Sequence, residues 1–294
     1  MKKRLKLLLK IVLTALALWF VLSKVDIDKL STSLQSANSL WLLGAFILFN
    51  LSKITSAFRL NLYFRAMGLW LSERYNLILY YVGMFYNLFL PGGIGGDGYK
   101  IYLLNKHFQH GIKPLFQAIL LDRLSGLAGL AFYACLLFAW SDYATLFGEW
   151  TIWLAYGLAL VVFPTAYLAT QWFFPLFMKV FQPTMVGGLG VQLLQLLSAW
   201  AILKSLSIDH ALLEYLTLFL VSSVVAVLPL TIGGVGVREL TFLYGLEYIG
   251  EEPSLGVTFS FLFFMITAIS SLLGLFLLHR VSPPSEDIKL NESN

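Results

Sequence analysis

Charge is scarce in this sequence: only 12% of its 294 residues are Asp, Glu, Lys or Arg, where a soluble domain carries about 25%. That is too little to coat a water-exposed surface of this size. The single cysteine, Cys135, lies inside an apolar run, so it forms no internal disulfide and reads as a small buried hydrophobe. Four scattered histidines and one cysteine offer no metal-ligand cluster, and neither a metal nor a cofactor is expected. The sequence has no phosphate-binding loop of the GxxxxGK[ST] kind and no GxSxG nucleophile turn. A nucleotide-driven pump and a serine hydrolase are excluded on those grounds. A pI near 9.0 and a net charge of +4 raise nucleic acid as a partner. The basic residues flank apolar runs, however, which is where membrane topology needs them, so no nucleic acid is expected.

What the sequence has is apolar residues, 59% of the total, in long continuous stretches. Runs at about 8–23, 40–58, 115–140, 150–173, 185–204 and 255–279 approach or exceed the ~20 residues that cross a bilayer's hydrocarbon core. Backbone polar groups in hydrocarbon must be paired internally, and unbroken runs satisfy this as helices. Two more apolar segments, about 75–106 and 211–250, are interrupted by Pro and Gly and cannot be straight rods. The fold class is therefore an all-α polytopic membrane protein, with about six spanning helices and two re-entrant broken hairpins in one domain over 1–280. The basic N-terminal head followed by an apolar run lacks a small-x-small cleavage site and reads as an uncleaved first helix. Residues 281–294 read as a short, disordered cytoplasmic tail.

Lys and Arg set the orientation. If each interrupted segment enters and leaves on one side, 14 of the 20 basic residues fall on the side of Lys2, Lys3 and Arg4, and only Lys24, Lys29 and Lys204 fall opposite. Both termini are then cytoplasmic. Trp19, Trp41, Trp70, Trp140, Trp150 and Trp172 fall near span ends, as interfacial anchors do.

Residues 91–100 (PGGIGGDGYK) and 229–238 (PLTIGGVGVR) share the pattern P-x-x-I-G-G-x-G-x-[KR], 138 residues apart (229 minus 91). The offset also places neighbouring spans over one another, giving two units at approximately 39–140 and 178–279, each helix, broken hairpin, helix. One hairpin enters from each side, so the units are inverted. Inverted repeats whose broken helices meet near the midplane are an architecture of secondary transporters. In each motif Pro91 or Pro229 ends one half-helix. Gly95, Gly96, Gly98 or Gly233, Gly234, Gly236 permit the turn. The next half-helix then presents free N–H groups beside Lys100 or Arg238, a setting suited to an anion.

Asp97, Asp122, Arg123 and Glu239 also fall at membrane depth, where a charge costs at least ~2.5 kcal/mol and faces a partner or a wet cavity. Two readings stand. Either these groups pair between helices, or Lys100, Arg123 and Arg238 converge on an anionic headgroup while Asp97, Asp122 and Glu239 balance charge or relay protons. Asn87 either caps the broken backbone or contacts ligand. Lys53 and Arg59 read as side chains snorkelling to the cytoplasmic interface.

Asn87–Lys100 (NLFLPGGIGGDGYK), Asp122–Gly126 (DRLSG) and Pro229–Glu239 (PLTIGGVGVRE), three blocks in this order, resemble the signature of the flippase-like family. That family includes the transmembrane region of lysylphosphatidylglycerol synthases. The resemblance runs over roughly 8–280. It implies the flippase half of those proteins, a bacterial inner membrane, and movement of a lipid across it. The soluble aminoacyltransferase domain is missing, so synthesis of lysyl-phosphatidylglycerol is not expected. Members also accompany polyisoprenyl-linked sugar pathways and hopanoid export, so the lipid does not carry over. The resulting expectation is a translocase for a polar-headgroup lipid or lipid-linked intermediate, more transporter than enzyme. Its partner is that lipid, and a cell-envelope biosynthesis enzyme is a further candidate partner. The alternatives are an intramembrane transferase with Asp97 or Glu239 as base, and a non-catalytic partner of an envelope enzyme.

Overall fold

A computed structural model describes residues 27–89, 94–227, 236–284, 287, 288 and 291. The expected first span at 8–23 and the motif residues Pro91, Pro229, Gly233 and Gly234 lie outside the described residues.

The described residues form helices α1 (Ile27–Ser36), α2 (Ser39–Ala66), α3 (Glu73–Phe89), α4 (Gly95–Phe108), α5 (Ile112–Trp140) and α6 (Asp142–Phe147). They continue as α7 (Trp150–Phe173), α8 (Phe181–Ser205), α9 (Leu212–Val227), α10 (Val237–Tyr248) and α11 (Pro253–Leu277), with 3₁₀ turns at Pro175–Val180 and Leu278–Arg280. Among the described residues five helical stretches are long and apolar enough to cross a membrane: Ser39–Ala66, Ile112–Trp140, Trp150–Phe173, Pro175–Ser205 and Pro253–Arg280. They coincide with five of the six expected spans, and the protein is an all-α polytopic membrane protein.

The outer surface fits lipid rather than water. Helix α7 packs on α5 and leaves Trp153, Leu160 and Trp172 more than 70% exposed. A soluble protein does not carry so large an apolar face. Trp150 and Trp172 mark the two ends of α7, as interfacial rings do.

The central crossing is α2 on α8. Helix α5 also crosses α8, where a Cβ added to Gly188 would lie 2.5 Å from the Ser125 carbonyl oxygen. Small residues let membrane helices approach this closely, which replaces the hydrophobic drive that lipid does not supply.

Each interrupted segment folds back on itself. Across α3 and α4, Asn87 meets Gly96 while Gly83 meets Lys100. Across α9 and α10, Phe219 meets Arg238 while Tyr215 meets Phe242. Both registers are antiparallel. The four arms have 17, 14, 16 and 12 residues, about 18–26 Å at 1.5 Å per residue, short of the ~30 Å core.

The hairpins open toward opposite ends of the bundle. At one end Arg65 pairs with Glu73, Tyr63 packs on Phe177, and the Tyr75 hydroxyl donates to the Val281 carbonyl. This joins the base of the first hairpin to the ends of α2 and α11. In the tail, Asp287 accepts from the Ser72 N–H and hydroxyl, and Asn291 bonds the Trp70 backbone, at this same end. At the other end the Asn38 N–H donates to the Ser205 carbonyl at 2.9 Å, and the Asp142 N–H donates to Glu214 at 3.0 Å. There the Tyr143 hydroxyl donates to the Gly245 carbonyl at 2.8 Å. Burial, with Glu214 adding to it, pushes the Tyr143 hydroxyl up, so it stays a donor. This second end holds the base of the α9–α10 hairpin.

Candidate functional site

Helix α4 begins at the tip of the first hairpin, and the local sequence explains how. Asn87, near the end of α3, accepts the Gly96 N–H at 2.8 Å. It thereby supplies one of the partners that a helix start lacks. Of the two roles open to Asn87, the cap is occupied. The arms touch because both contact positions are glycine: a Cβ on Gly96 would sit 1.9 Å from the Gly83 carbonyl oxygen, and one on Gly83 would sit 2.7 Å from Lys100 Cε. Gly95 opens α4, and Gly98 has free space around it.

This close approach lays Lys100 and Asp97 against α5. Asp97 sits between two cations, with Lys100 Nζ at 3.0 Å on one oxygen and Arg123 Nε on the other. Lys100 also lies over the Tyr80 ring, 5.1 Å from its centroid. Adjacent helical residues point about 100° apart, so Asp122 and Arg123 serve different partners. Arg123 turns to α4, and Asp122 turns to α2, where Arg59 Nε lies 2.8 Å from its carboxylate.

Arg59 differs from the sequence reading. It does not snorkel to an interface; it is 5% exposed and held in a slot against Gly126 and Gly187. Among the described residues one of its nitrogens, Nη1, is buried without a hydrogen-bond partner, as is Gln192 Oε1. Gln192 donates its other end to the Gly126 carbonyl at 3.0 Å. Lys53 likewise remains within the protein, over the Phe49 ring at 4.5 Å.

These side chains line one cavity of about 440 Å³, whose walls include Lys53, Arg59, Tyr80, Asn87, Asp97, Lys100, Asp122, Arg123 and Gln192. Lys53 in α2, Gly126 in α5 and Gln192 in α8 each fall at the middle of a long helix, so the cavity occupies the centre of the bundle. The Arg123 side chain is 40% exposed, which places it at the mouth. Leu124 and Leu127 are shared with an apolar groove of about 330 Å³ between α5, α7 and α8.

The second motif is arranged differently. Gly236, at φ 86°, precedes α10, a conformation glycine adopts without strain. Its N–H donates to Glu239 Oε2 at 2.6 Å, while the Ser260 hydroxyl donates to Oε1 at 2.8 Å. Both Glu239 oxygens are thus engaged in closing the start of α10. Arg238 packs over Phe263 at 4.9 Å and Phe219 at 5.9 Å. Phe263 is itself 5.6 Å from Phe49, the ring beneath Lys53. The structure thus gathers Asn87, Asp97, Lys100, Asp122 and Arg123 around the cavity, and sets Arg238 and Glu239 behind an aromatic partition next to it.

Sequence reasoning missed Arg59, Lys53, Gly83 and Gln192. A signal existed for Arg59: Ser52, Ser56 and Arg59 recur at i, i+4 and i+7, a polar stripe on one face of an apolar span. All three are buried.

An apolar helical bundle with exposed lipid-type faces around a charged central cavity defines a multi-pass membrane protein. The chain belongs to the family described as the lysylphosphatidylglycerol synthase TM region, which matches residues 7–274. No curated protein matches it significantly. Family membership places the protein in lipid-related biology of the cell envelope.

Proposed function

We propose that this protein is a lipid translocase of the cytoplasmic membrane, carrying a phosphate-containing polar headgroup through its centre while the chains remain in lipid. The observation that carries this reading is the adjacency of the two spaces: a charged cavity at mid-depth shares Leu124 and Leu127 with an apolar groove on the bundle's flank. A headgroup and its chain need such a pair.

The helix pairings support an inverted repeat. Exchanging α2–α5 for α8–α11 converts the contact of α3 with α11 into that of α9 with α5, and the contact of α4 with α5 into that of α10 with α11. The end bearing Arg65, Arg74, Lys106, Lys113, Lys179 and Arg280 is cytoplasmic on this reading, by the excess of Lys and Arg there. Alternating access would then rock one unit against the other.

The transferase alternative is weaker. It requires a carboxylate free to take a proton, and both candidates are committed, Asp97 to two cations and Glu239 to Gly236 and Ser260.

Purified protein in vesicles carrying a fluorescent-headgroup lipid tests the proposal. Wild type should expose the inner-leaflet label to an impermeant quencher, and Arg123→Ala should slow it by about tenfold, the loss of one charge-assisted headgroup contact. Equal rates with empty vesicles would refute it.

A further inference from the structure

Among the described residues, Lys53, Arg59, Lys100 and Arg123 line the central cavity against only Asp97 and Asp122, a surplus of two positive charges. The pairings consume both carboxylates: Asp122 takes Arg59, and Asp97 takes Lys100 and Arg123. Among the described residues Lys53 has its ring contact and no ion pair, and the carboxylate that acts on it at a distance, Asp122, is already paired with Arg59. Among the described residues Arg238 has two ring contacts and no ion pair, both oxygens of the neighbouring Glu239 being taken by Gly236 and Ser260. Adding Arg238 and Glu239 to the count leaves the surplus unchanged. The stretches 90–93 and 228–235 and the apolar run 8–23 contain no Asp or Glu, so their sequences supply no balancing charge.

Charges at that depth are held by partners or water. A cationic headgroup would deepen the imbalance, and a zwitterionic one would leave it. A phosphomonoester, which carries about −1.5 to −2 at pH 7, or a diphosphate would neutralise it. Geometry gives such a group two stations. Arg123 and Lys100 stand at the first hairpin's tip, and Lys53 stands over Phe49, the ring packed against Phe263, toward the second.

We propose that the cavity selects a lipid whose headgroup is a phosphomonoester or diphosphate bearing two negative charges, in preference to zwitterionic, singly anionic or aminoacylated cationic lipids. This rests on the translocase reading for its movement, but not for its binding.

The test uses full-length protein in vesicles containing phosphatidylcholine, phosphatidylglycerol, lysyl-phosphatidylglycerol, phosphatidic acid or a long-chain prenyl diphosphate. Headgroup exposure rate and lipid retention in native mass spectrometry are both read. The two dianionic lipids should be retained and moved at least about tenfold better than the others, the scale of one lost charge contact. Lys53→Gln should flatten that preference and Lys53→Arg should keep it, which separates charge from folding. Equal handling of all lipids, or preference for the cationic one, overturns the charge class and leaves translocation standing. Retention of dianionic lipids that depends on Lys53, without movement, upholds the site and refutes the translocase. Neither retention nor movement refutes both.

Discussion

Arg59 and Asp122, 63 residues apart in sequence, meet at 2.8 Å in the middle of the bundle with both side chains under 10% exposed. The pair ties α2 to α5 in the cavity wall and fixes Asp122 away from its neighbour Arg123. Removing one member leaves a buried charge alone. Arg59→Met should destabilise the folded protein by about 3–5 kcal/mol, while Arg59→Met with Asp122→Leu should recover most of that loss. Thermal unfolding in detergent measures both.

The hairpin arms predict a contrast between two glycines two residues apart. Gly96→Ala drives a methyl into the Gly83 carbonyl and should cost about 1–3 kcal/mol or more as the arms part. Gly98→Ala meets open space and should be neutral or stabilising by up to ~1 kcal/mol. Unfolding midpoints of the two variants check the ranking.

Glu239 and Asp97 differ in what their charge is for. Glu239 accepts from Gly236 and Ser260; a Gln there can accept the Gly236 N–H through its oxygen and donate its Nε2–H to the Ser260 hydroxyl, so Glu239→Gln should retain transport and fold within about 1 kcal/mol of wild type. Asp97→Asn strips the carboxylate from Lys100 and Arg123 and should cost about 3 kcal/mol or more. Loss of transport in Glu239→Gln with an intact fold would assign it a proton-carrying role instead.

Opposite entry of the hairpins predicts opposite labelling. With Cys135→Ser removing the sole cysteine, a cysteine at His107, the base of the first hairpin, should react with an impermeant maleimide only from the cytoplasmic side. One at His210, the base of the second, should react only from the other side. Labelling of both from one side would contradict the arrangement.

The architecture was legible because bilayer physics writes it into composition. Unbroken apolar runs gave five of the spans now described, and Pro–Gly interruptions marked where helices break. The gathering of Asp97, Lys100, Asp122 and Arg123 was legible as charge at membrane depth. Pairing between helices was one of the two readings of those charges; which partner each takes was not legible, because Asp122 finds Arg59 63 residues away and sequence carries no distance across helices. Arg59 was misplaced for a related reason. A cation about two turns from a helix end can snorkel or turn inward, and only the slot made by Gly126 and Gly187 decides it. Gly83 looked like any membrane-helix glycine until α4 lay across it.

A headgroup-borne photoreactive lipid tests the central claim most directly. Cross-linked in vesicles and mapped by peptide mass spectrometry, it should mark Tyr80, Asn87 and Gln192 inside the cavity, while the same lipid with the photogroup on its chain should mark Val162, Ala166 and Ala169 along the groove. Headgroup adducts confined to the ends of the bundle, with the cavity residues unmodified, would contradict passage through its centre.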